Sequence, residues 1–293
     1  MTEINIKNLK VKSGGRNIVD IEQIHFRSPY TYGILGPNGS GKSTLLKAIC
    51  GILNNYEGSI RMNGHEIRQE HNEIAKITGS LIENPSFYPY STPAEFVRYT
   101  WEMRTGRKIK DDFGIDEIMD MVNMRGKMDS MMGTFSTGEL KRTGVAGAIA
   151  GNPECILLDE PTDNVDLIGR DLIAGSVNSI RAEGNKLLII ASHDVSFLEK
   201  VCDTVIFLKD GKVQKTVKIS ETQLTNIIIE DTPMMNGLEN QLNMISISGV
   251  KVTVSGDINP FLNYASANNI RIREIIKINV LDDEYRKIFS DQS

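Results

Sequence analysis

The sequence predicts an α/β fold built on a parallel sheet, and three observations carry that reading. A strand, Tyr32-Gly33-Ile34-Leu35, runs into a glycine-rich turn, Gly36-Pro37-Asn38-Gly39-Ser40-Gly41-Lys42-Ser43-Thr44, and then into a helix, Leu45-Leu46-Lys47-Ala48-Ile49. A second apolar strand, Cys155-Ile156-Leu157-Leu158, ends on two carboxylates, Asp159 and Glu160. A helix from Leu167 to Glu183 then leads into a third buried strand, Leu187-Leu188-Ile189-Ile190-Ala191. Alternation of strand and helix places parallel strands side by side, with sites at their carboxyl edge.

Before the glycine turn, residues 3–35 read as strands: Ile4, Ile6 and Leu9 mark the first, Ile18, Ile21 and Ile24 the second, and Tyr32 to Leu35 the third. The helix from Thr44 to Ile49 stops near Gly51. A strand from Gly58 to Met62, an Asn63-Gly64 turn and a strand from Ile77 to Ile82 follow. From Pro85 to about Ala150 the pattern is mostly helical, including Ala94 to Met103 and Asp116 to Met124, as expected of a helical insertion. Asn152-Pro153 breaks the chain before the carboxylate-tipped strand. After Gly211 the character changes, with Gln223–Glu230, Leu238–Leu242, Ile245–Val254, Pro260–Ala267, Ile270–Val280 and Leu281–Ile288 alternating between strand-like and helix-like patterns. A small α+β accessory domain is expected there.

The glycine turn is a phosphate cradle by its chemistry. Gly36, Gly39 and Gly41 permit backbone angles and close approaches that a Cβ would block, so successive N–H groups can face phosphate oxygens. The following helix contributes the positive end of its dipole, Lys42 can reach β- and γ-phosphates, and Ser43 is the expected Mg2+ ligand. Asp159 is placed to hold Mg2+ and Glu160 to orient or deprotonate the attacking water.

The chain of 293 residues is 40% hydrophobic, enough for a packed core, and carries a net charge of −5. With no dense basic cluster either, nucleic acid is not expected as a partner. Cys50, Cys155 and Cys202 form an odd set without metal-type spacing, as expected of reduced core thiols. No apolar run is long enough to span a membrane and the first ten residues do not resemble a signal peptide, so the chain reads as soluble. A membrane role would come through a separate partner.

Ser136-Thr137-Gly138-Glu139 opens the helix Leu140 to Ala150 as a capping box. With Phe135 before it, and alongside the glycine loop and the Asp159-Glu160 pair, it resembles the signature motif of ATP-binding-cassette proteins. Pro161-Thr162-Asp163-Asn164-Val165-Asp166 resembles that family's dimer-interface loop, with Asp166 as the acidic member, and Ala191-Ser192-His193-Asp194 resembles its switch-histidine segment. His25, His65 and His71 gain no such role and read as surface or packing residues.

The resemblance covers residues 1 to about 217. It implies a P-loop NTPase core with a parallel sheet, an N-terminal antiparallel β subdomain, a helical insertion near 85–150 and the C-terminal α+β domain, divided as 1–217 and 218–293. It also implies ATP and Mg2+ as cofactors, with residues 36–44 (Gly36, Pro37, Asn38, Gly39, Ser40, Gly41, Lys42, Ser43, Thr44) binding nucleotide and Lys42, Glu160 and His193 catalytic. Ser136, Thr137, Gly138 and Glu139 would act on nucleotide held by a second copy. The implied partners are that second copy and a permease on another chain, with the protein on the inner face of the cell membrane.

Two positions depart from the family pattern. Ser13 stands where many cassettes carry an adenine-stacking aromatic, which leaves base selectivity open. Glu83, in Leu81-Ile82-Glu83-Asn84-Pro85-Ser86-Phe87-Tyr88, replaces a glutamine that in the family reaches Mg2+, and as glutamate it still offers the metal an oxygen, so Ser43, Glu83 and Asp159 are the expected Mg2+ ligands. This variant resembles lantibiotic-immunity and bacitracin-type exporter cassettes, and Leu281–Phe289 resembles their closing helix. The expected function is thus an exporter ATPase for a peptide antibiotic or similar toxic compound. The alternative is a soluble, non-transport cassette such as the iron–sulfur assembly type, whose signature tail Gly138-Glu139-Leu140-Lys141-Arg142 resembles. Met121, Met124, Met128, Met131 and Met132 lie in the helical insertion, either as core filling or as adaptable contacts to a membrane subunit.

Overall fold

The computed structural model describes residues 1–83, 87–109, 113–221, 223–230 and 242–290. Two compact units divide the chain, Met1–Thr216 and Val217–Ser293.

The first unit opens with β1 (Glu3–Ser13), β2 (Arg16–Arg27) and β3 (Thr31–Leu35), followed by α1 (Lys42–Ile49), β4 (Glu57–Met62), the short β5 (His65–Glu66), α2 (His71–Ile77) and β6 (Thr78–Leu81). The helical insertion holds α3 (Pro93–Thr105), α4 (Phe113–Met121) and α5 (Thr137–Ile149). Then come β7 (Cys155–Asp159), α6 (Leu167–Ala182), β8 (Leu187–Ser192), α7 (Val195–Val201), β9 (Thr204–Lys209) and β10 (Lys212–Lys218).

These strands make two sheets. An antiparallel one runs β2-β1-β4-β5, and a second runs β10-β9-β3-β8-β7-β6, in which β9, β3, β8, β7 and β6 are parallel. Alternation along β1 and β2 turns Ile4, Ile6, Val19 and Ile21 inward, where they share one core with Leu45, Leu46 and Ile49 of α1 and with Leu157 and Ile189 of the parallel sheet. Strands β7 and β8 are buried at every position, the signature of strands covered on both faces.

The register sets up the site. Leu35 lies opposite Ser192, Asp159 opposite Ala191, and Leu81 opposite Leu158, so the carboxyl ends of β3, β8, β7 and β6 finish at one edge. Gly36, His193 and Glu160 follow directly from their strand ends, and Glu83 comes two residues after that of β6.

In the second unit, β11 (Gln223–Ile229), β12 (Met244–Ser248), β13 (Lys251–Ser255), α8 (Asn259–Ala267), β14 (Ile272–Asn279) and α9 (Val280–Phe289) form an antiparallel sheet in the order β12-β13-β11-β14 with two helices. Phe261 and Ala265 of α8 are buried with Ile227, Ile229, Val252 and Val254, giving this unit its own core.

Several expectations need correction. The segment expected as one strand from Ile77 to Ile82 is α2 ending at Ile77, then β6 from Thr78 to Leu81. The helix expected over Asp116–Met124 runs from Phe113 to Met121. Ile245–Val254 is a hairpin turned at Gly249, whose φ of +59° a Cβ would resist, rather than one run. Pro85 and residues 238–241 of the expected Leu238–Leu242 element lie outside the described residues. Met124 and Met132 are core, whereas Met131 is exposed. Cys155 and Cys202 are buried free thiols, Cys50 is half-buried, and His25 and His65 pair with Glu3 and Glu70 at the surface.

Candidate functional site

The loop between β3 and α1 is shaped by glycine and by an inward lysine. A Cβ on Gly36 would stand 2.3 Å from the Leu208 carbonyl oxygen, and one on Gly41, held at φ +101°, would stand 2.6 Å from that of Ile18. No other residue fits either place without moving backbone. Gly211 donates its N–H to the Ser40 carbonyl at 3.0 Å, which fastens the loop to the β9–β10 turn. Lys42 is almost wholly buried, and its ammonium donates to the carbonyl oxygens of Gly36 at 2.7 Å and Pro37 at 3.1 Å. The charge that would meet a phosphate is thereby folded back into the cradle. Ser40 Oγ is buried without a hydrogen-bond partner among the described residues.

The second group sits at the ends of β7 and β8. Glu160 Oε1 lies 3.1 Å from the Lys42 ammonium, in an ion pair without a directed hydrogen bond. Its Oε2 faces His193 Nδ1 at 3.0 Å and accepts from the His193 backbone N–H at 3.3 Å. Glu160 adopts φ +44°, uncommon for a residue with a side chain, and donates its own N–H to the Ala191 carbonyl at 2.9 Å. Lys42, Glu160 and His193 are therefore brought together as a chain of contacts.

Asp159 is buried, and its Oδ1 has no hydrogen-bond partner among the described residues. Burial pushes its carboxyl above the ordinary range; the Ser43 hydroxyl, the Glu83 backbone amide and Lys42 pull it back, and Glu160 adds to the rise. A buried, unsatisfied carboxylate oxygen beside a serine hydroxyl is an oxygen donor set that suits Mg2+, a hard cation bound by one or two protein oxygens and substrate phosphates. Ser43 and Asp159 would hold it, and it would neutralise charge on bound phosphates.

Glu83 is placed differently from the other Mg2+ candidates. It adopts φ +60°, and its exposed carboxylate pairs with the Lys47 ammonium on α1, while its backbone amide faces Asp159.

The signature segment forms the expected capping box. Ser136 Oγ accepts from the Glu139 N–H at 3.3 Å and Glu139 Oε2 accepts from the Ser136 N–H at 2.9 Å, while Lys127 pairs with Glu139. Ser136 and Thr137 are exposed at the start of α5, and Gly138 lies against Val165, where a Cβ would come within 3.2 Å of Val165 Cγ1. Among the described residues, none of these four hydrogen-bonds to the phosphate loop. Asp166 caps α6 by accepting from the Gly169 N–H at 2.7 Å. Arg170 bonds the Val165 carbonyl at 3.0 Å and Asp194 at 3.0 Å, linking the Asp166 loop to the segment after His193.

Two lysines in this neighbourhood escaped the sequence reading. Lys47 pairs with Glu83, and Lys141, buried in α5, donates to the Glu160 carbonyl oxygen at 3.0 Å. No local pattern marks Lys141, which stands beside a second basic residue, Arg142, and meets Glu160 only through packing.

The protein-family model described as ABC transporter matches residues 22–163. An uncharacterized ABC transporter ATP-binding protein, YdbJ of Bacillus subtilis strain 168, is 30% identical over 267 residues, covering 89% of this chain and 86% of that protein. The bacitracin transport ATP-binding protein BcrA of Bacillus licheniformis is 30% identical over 225 residues, covering 77% of this chain and 72% of its own. Among solved structures, the dimeric ATP-binding cassette MJ0796 bound to ADP and Pi superposes with a TM-score of 0.67 at 23% identity, over 74% of this chain and 98% of that one.

Proposed function

The chain belongs to the ABC transporter family as an ATP-binding subunit, and on that premise we propose that it hydrolyses ATP to drive export of a peptide antibiotic or similar toxic compound. The observation that carries the hydrolytic part is the contact chain Lys42, Glu160, His193 at the carboxyl edge of the sheet, next to an Asp159 oxygen without a hydrogen-bond partner among the described residues. A phosphate entering the cradle offers Lys42 a stronger acceptor than the Gly36 and Pro37 carbonyls. When the ammonium turns to it, Glu160 loses its cation and is free to accept a hydrogen from water in line with the terminal phosphate. His193, on the other carboxylate oxygen, keeps Glu160 aimed during that exchange.

Hydrolysis in this reading needs a second copy, because Ser136 and Thr137 stand exposed at a helix N-terminus and, among the described residues, make no hydrogen bond to the chain's own phosphate loop. A helix N-terminus is an anion site, and a partner's γ-phosphate is the anion it suits. Leu167 and Ile168, both exposed beside Asp166, supply apolar contact for the same partner.

A permease would engage the helical insertion. Tyr88 and Tyr90 stack edge to face at 5.8 Å, Tyr99 and Met103 lie one turn apart on α3, and Met131 precedes the Met132 and Gly133 amides that bond the Ser91 and Pro89 carbonyls; all five are exposed. Aromatic and methionine side chains of this kind suit an adaptable protein interface. The export of a peptide antibiotic rests on BcrA, whose name gives bacitracin transport, and on Glu83.

The test is purification of tagged protein from its native membranes followed by ATPase assay in the presence and absence of bacitracin. Recovery of a polytopic permease with drug-stimulated turnover supports the reading. Soluble partners alone would end the transport claim, and a permease whose ATPase ignores the drug would end the antibiotic claim.

A further inference from the structure

We propose that Lys141 is a positioning residue that couples the signature segment of one subunit to the Glu160 of that same subunit, so that engagement of the signature by a second copy's nucleotide controls hydrolysis at the first copy's own site. The inference rests on the hydrolytic reading above and concerns how its two sites are linked.

The structural basis is a single carbonyl. Glu160 O accepts from the Lys141 ammonium at 3.0 Å and from the Asp163 N–H at 3.2 Å. That oxygen therefore joins three parts of the molecule: α5, the end of β7, and the loop leading to Asp166. The peptide it belongs to follows a residue at φ +44°, a conformation that needs support from its surroundings. Removing the ammonium leaves the carbonyl with one partner and relaxes the constraint that aims the Glu160 carboxylate between Lys42 and His193.

Lys141 is only 3% exposed, and burying a charged ammonium is unfavourable unless something nearby repays it. Burial does depress its basicity, and Asp163, Asp159 and Glu160 act to restore it. An apolar residue would pack the same space without that cost, and a surface lysine would have no reason to turn inward. A buried cation whose ammonium bonds the carbonyl at the hydrolytic end of β7 fits a part in the site better than packing.

The next residue carries the linkage outward. Arg142 donates to the Asn123 carbonyl at 2.7 Å, just beyond α4 in the helical insertion. Successive residues of one helix thus grip the catalytic strand on one side and the insertion on the other. Five residues before Lys141, Ser136 begins the segment that meets the partner's nucleotide. A shift of α5 drawn by that nucleotide carries the ammonium with it, and the Glu160 peptide moves or holds accordingly. This gives each site a physical reason to respond to the other, which is what cooperativity requires.

The experiment measures ATP hydrolysis against ATP concentration for the wild type and for Lys141→Met, which keeps the apolar stem and removes the donor. Thermal stability and nucleotide binding to the monomer are followed in parallel. The expected result is unchanged nucleotide affinity, turnover lower by up to about 10²-fold, as a small misplacement of a reacting group produces, and a Hill coefficient falling from above one to one. Wild-type cooperativity retained in the variant overturns the proposal, even if turnover falls, because a purely structural lysine would give that pattern. A wild type that hydrolyses ATP without cooperativity overturns the coupling and leaves hydrolysis standing, whereas a wild type that hydrolyses none overturns both. Should Lys141→Met not fold, Lys141→Arg and Lys141→Gln decide. Cooperativity kept by the cation and lost by the amide supports the coupling, and identical behaviour of the two overturns it.

Discussion

His193 Nδ1 and Glu160 Oε2 face each other at 3.0 Å across the ends of two neighbouring parallel strands. A carboxylate only accepts, so Nδ1 carries the hydrogen of this contact. Without the imidazole, the Glu160 carboxylate keeps, among the described residues, the His193 backbone amide and the Lys42 ammonium, and the latter leaves when phosphate binds. His193→Ala is expected to lower turnover by about 10²-fold with little change in ATP binding, the range for losing orientation of a reacting group. Steady-state hydrolysis beside a nucleotide titration checks it, and a parallel loss of binding would assign His193 to the phosphate instead.

Glu160→Gln keeps the size of the side chain and removes its basicity. The expected outcome is hydrolysis lower by about 10²- to 10⁴-fold, the contribution general acid–base catalysis makes, together with a stable ATP-bound dimer in gel filtration. Near-normal turnover would exclude Glu160 as the base.

The buried Asp159 gives a pH dependence with a definite sign. Its folded-state pKa is raised, chiefly by burial, so the protonated form stabilises the Mg2+-free fold and that stabilisation is lost as pH rises through the folded value. Mg2+ needs the ionised form. Mg2+-dependent ATP binding is therefore expected to weaken as pH falls, beginning above the ordinary carboxylate range near 4. Asp159→Asn is expected to raise the melting temperature of the Mg2+-free protein at neutral pH while abolishing the Mg2+ effect. Calorimetry with and without Mg2+ reads both, and a lower melting temperature in the variant would contradict the burial argument.

The parts of this site that lie in contiguous sequence were legible from it, because glycine spacing, a carboxylate-tipped strand and a capping box each express local chemistry. Gly36, Lys42, Asp159, Glu160 and His193 arrive at one edge because parallel strands share a direction, and that too follows from the strand–helix rhythm. What sequence could not supply were pairings set by packing. Lys141 meets Glu160 across 19 residues and Lys47 meets Glu83 across 36, and neither spacing has a local signature. The same holds for α2, whose seven residues bury only Ile74 and so show little periodicity, and for α4, whose start is three residues earlier than its apolar pattern suggested.

Ser13 pairs with Arg16 across a two-residue turn formed by Gly14 and Gly15, so their side chains share the face that Val11 and Val19 bury further along the hairpin. The Arg16 side chain is exposed and has no hydrogen-bond or ion-pair partner among the described residues. Two residues beyond Arg16 on β2, Ile18 abuts Gly41 of the phosphate loop. With serine in the stacking position, ATP and GTP are expected to bind within a few-fold of one another. Ser13→Tyr is expected to tighten ATP by about 1 kcal/mol, the scale of an aromatic stack, or roughly fivefold. Fluorescent-nucleotide competition measures both, and strong wild-type preference for ATP would show that another group reads the base.

Glu83 places a negative charge beside a site that must hold several more, and the Lys47 ammonium offsets it. The pair is partly solvated, at 29% exposure for Lys47 and 62% for Glu83, so its own effect on stability is small, below about 1 kcal/mol. Its larger effect is expected on nucleotide binding, because Lys47→Ala leaves the carboxylate uncompensated near the phosphates. ATP affinity should fall by about two- to fivefold, equivalent to less than about 1 kcal/mol. Glu83→Gln in the Lys47→Ala background should recover that loss, since it removes the charge that had become unpaired. A double-mutant cycle on ATP affinity separates this from a direct role. If Glu83→Gln weakens Mg2+-dependent binding in both backgrounds equally, the carboxylate serves the metal rather than answering to Lys47.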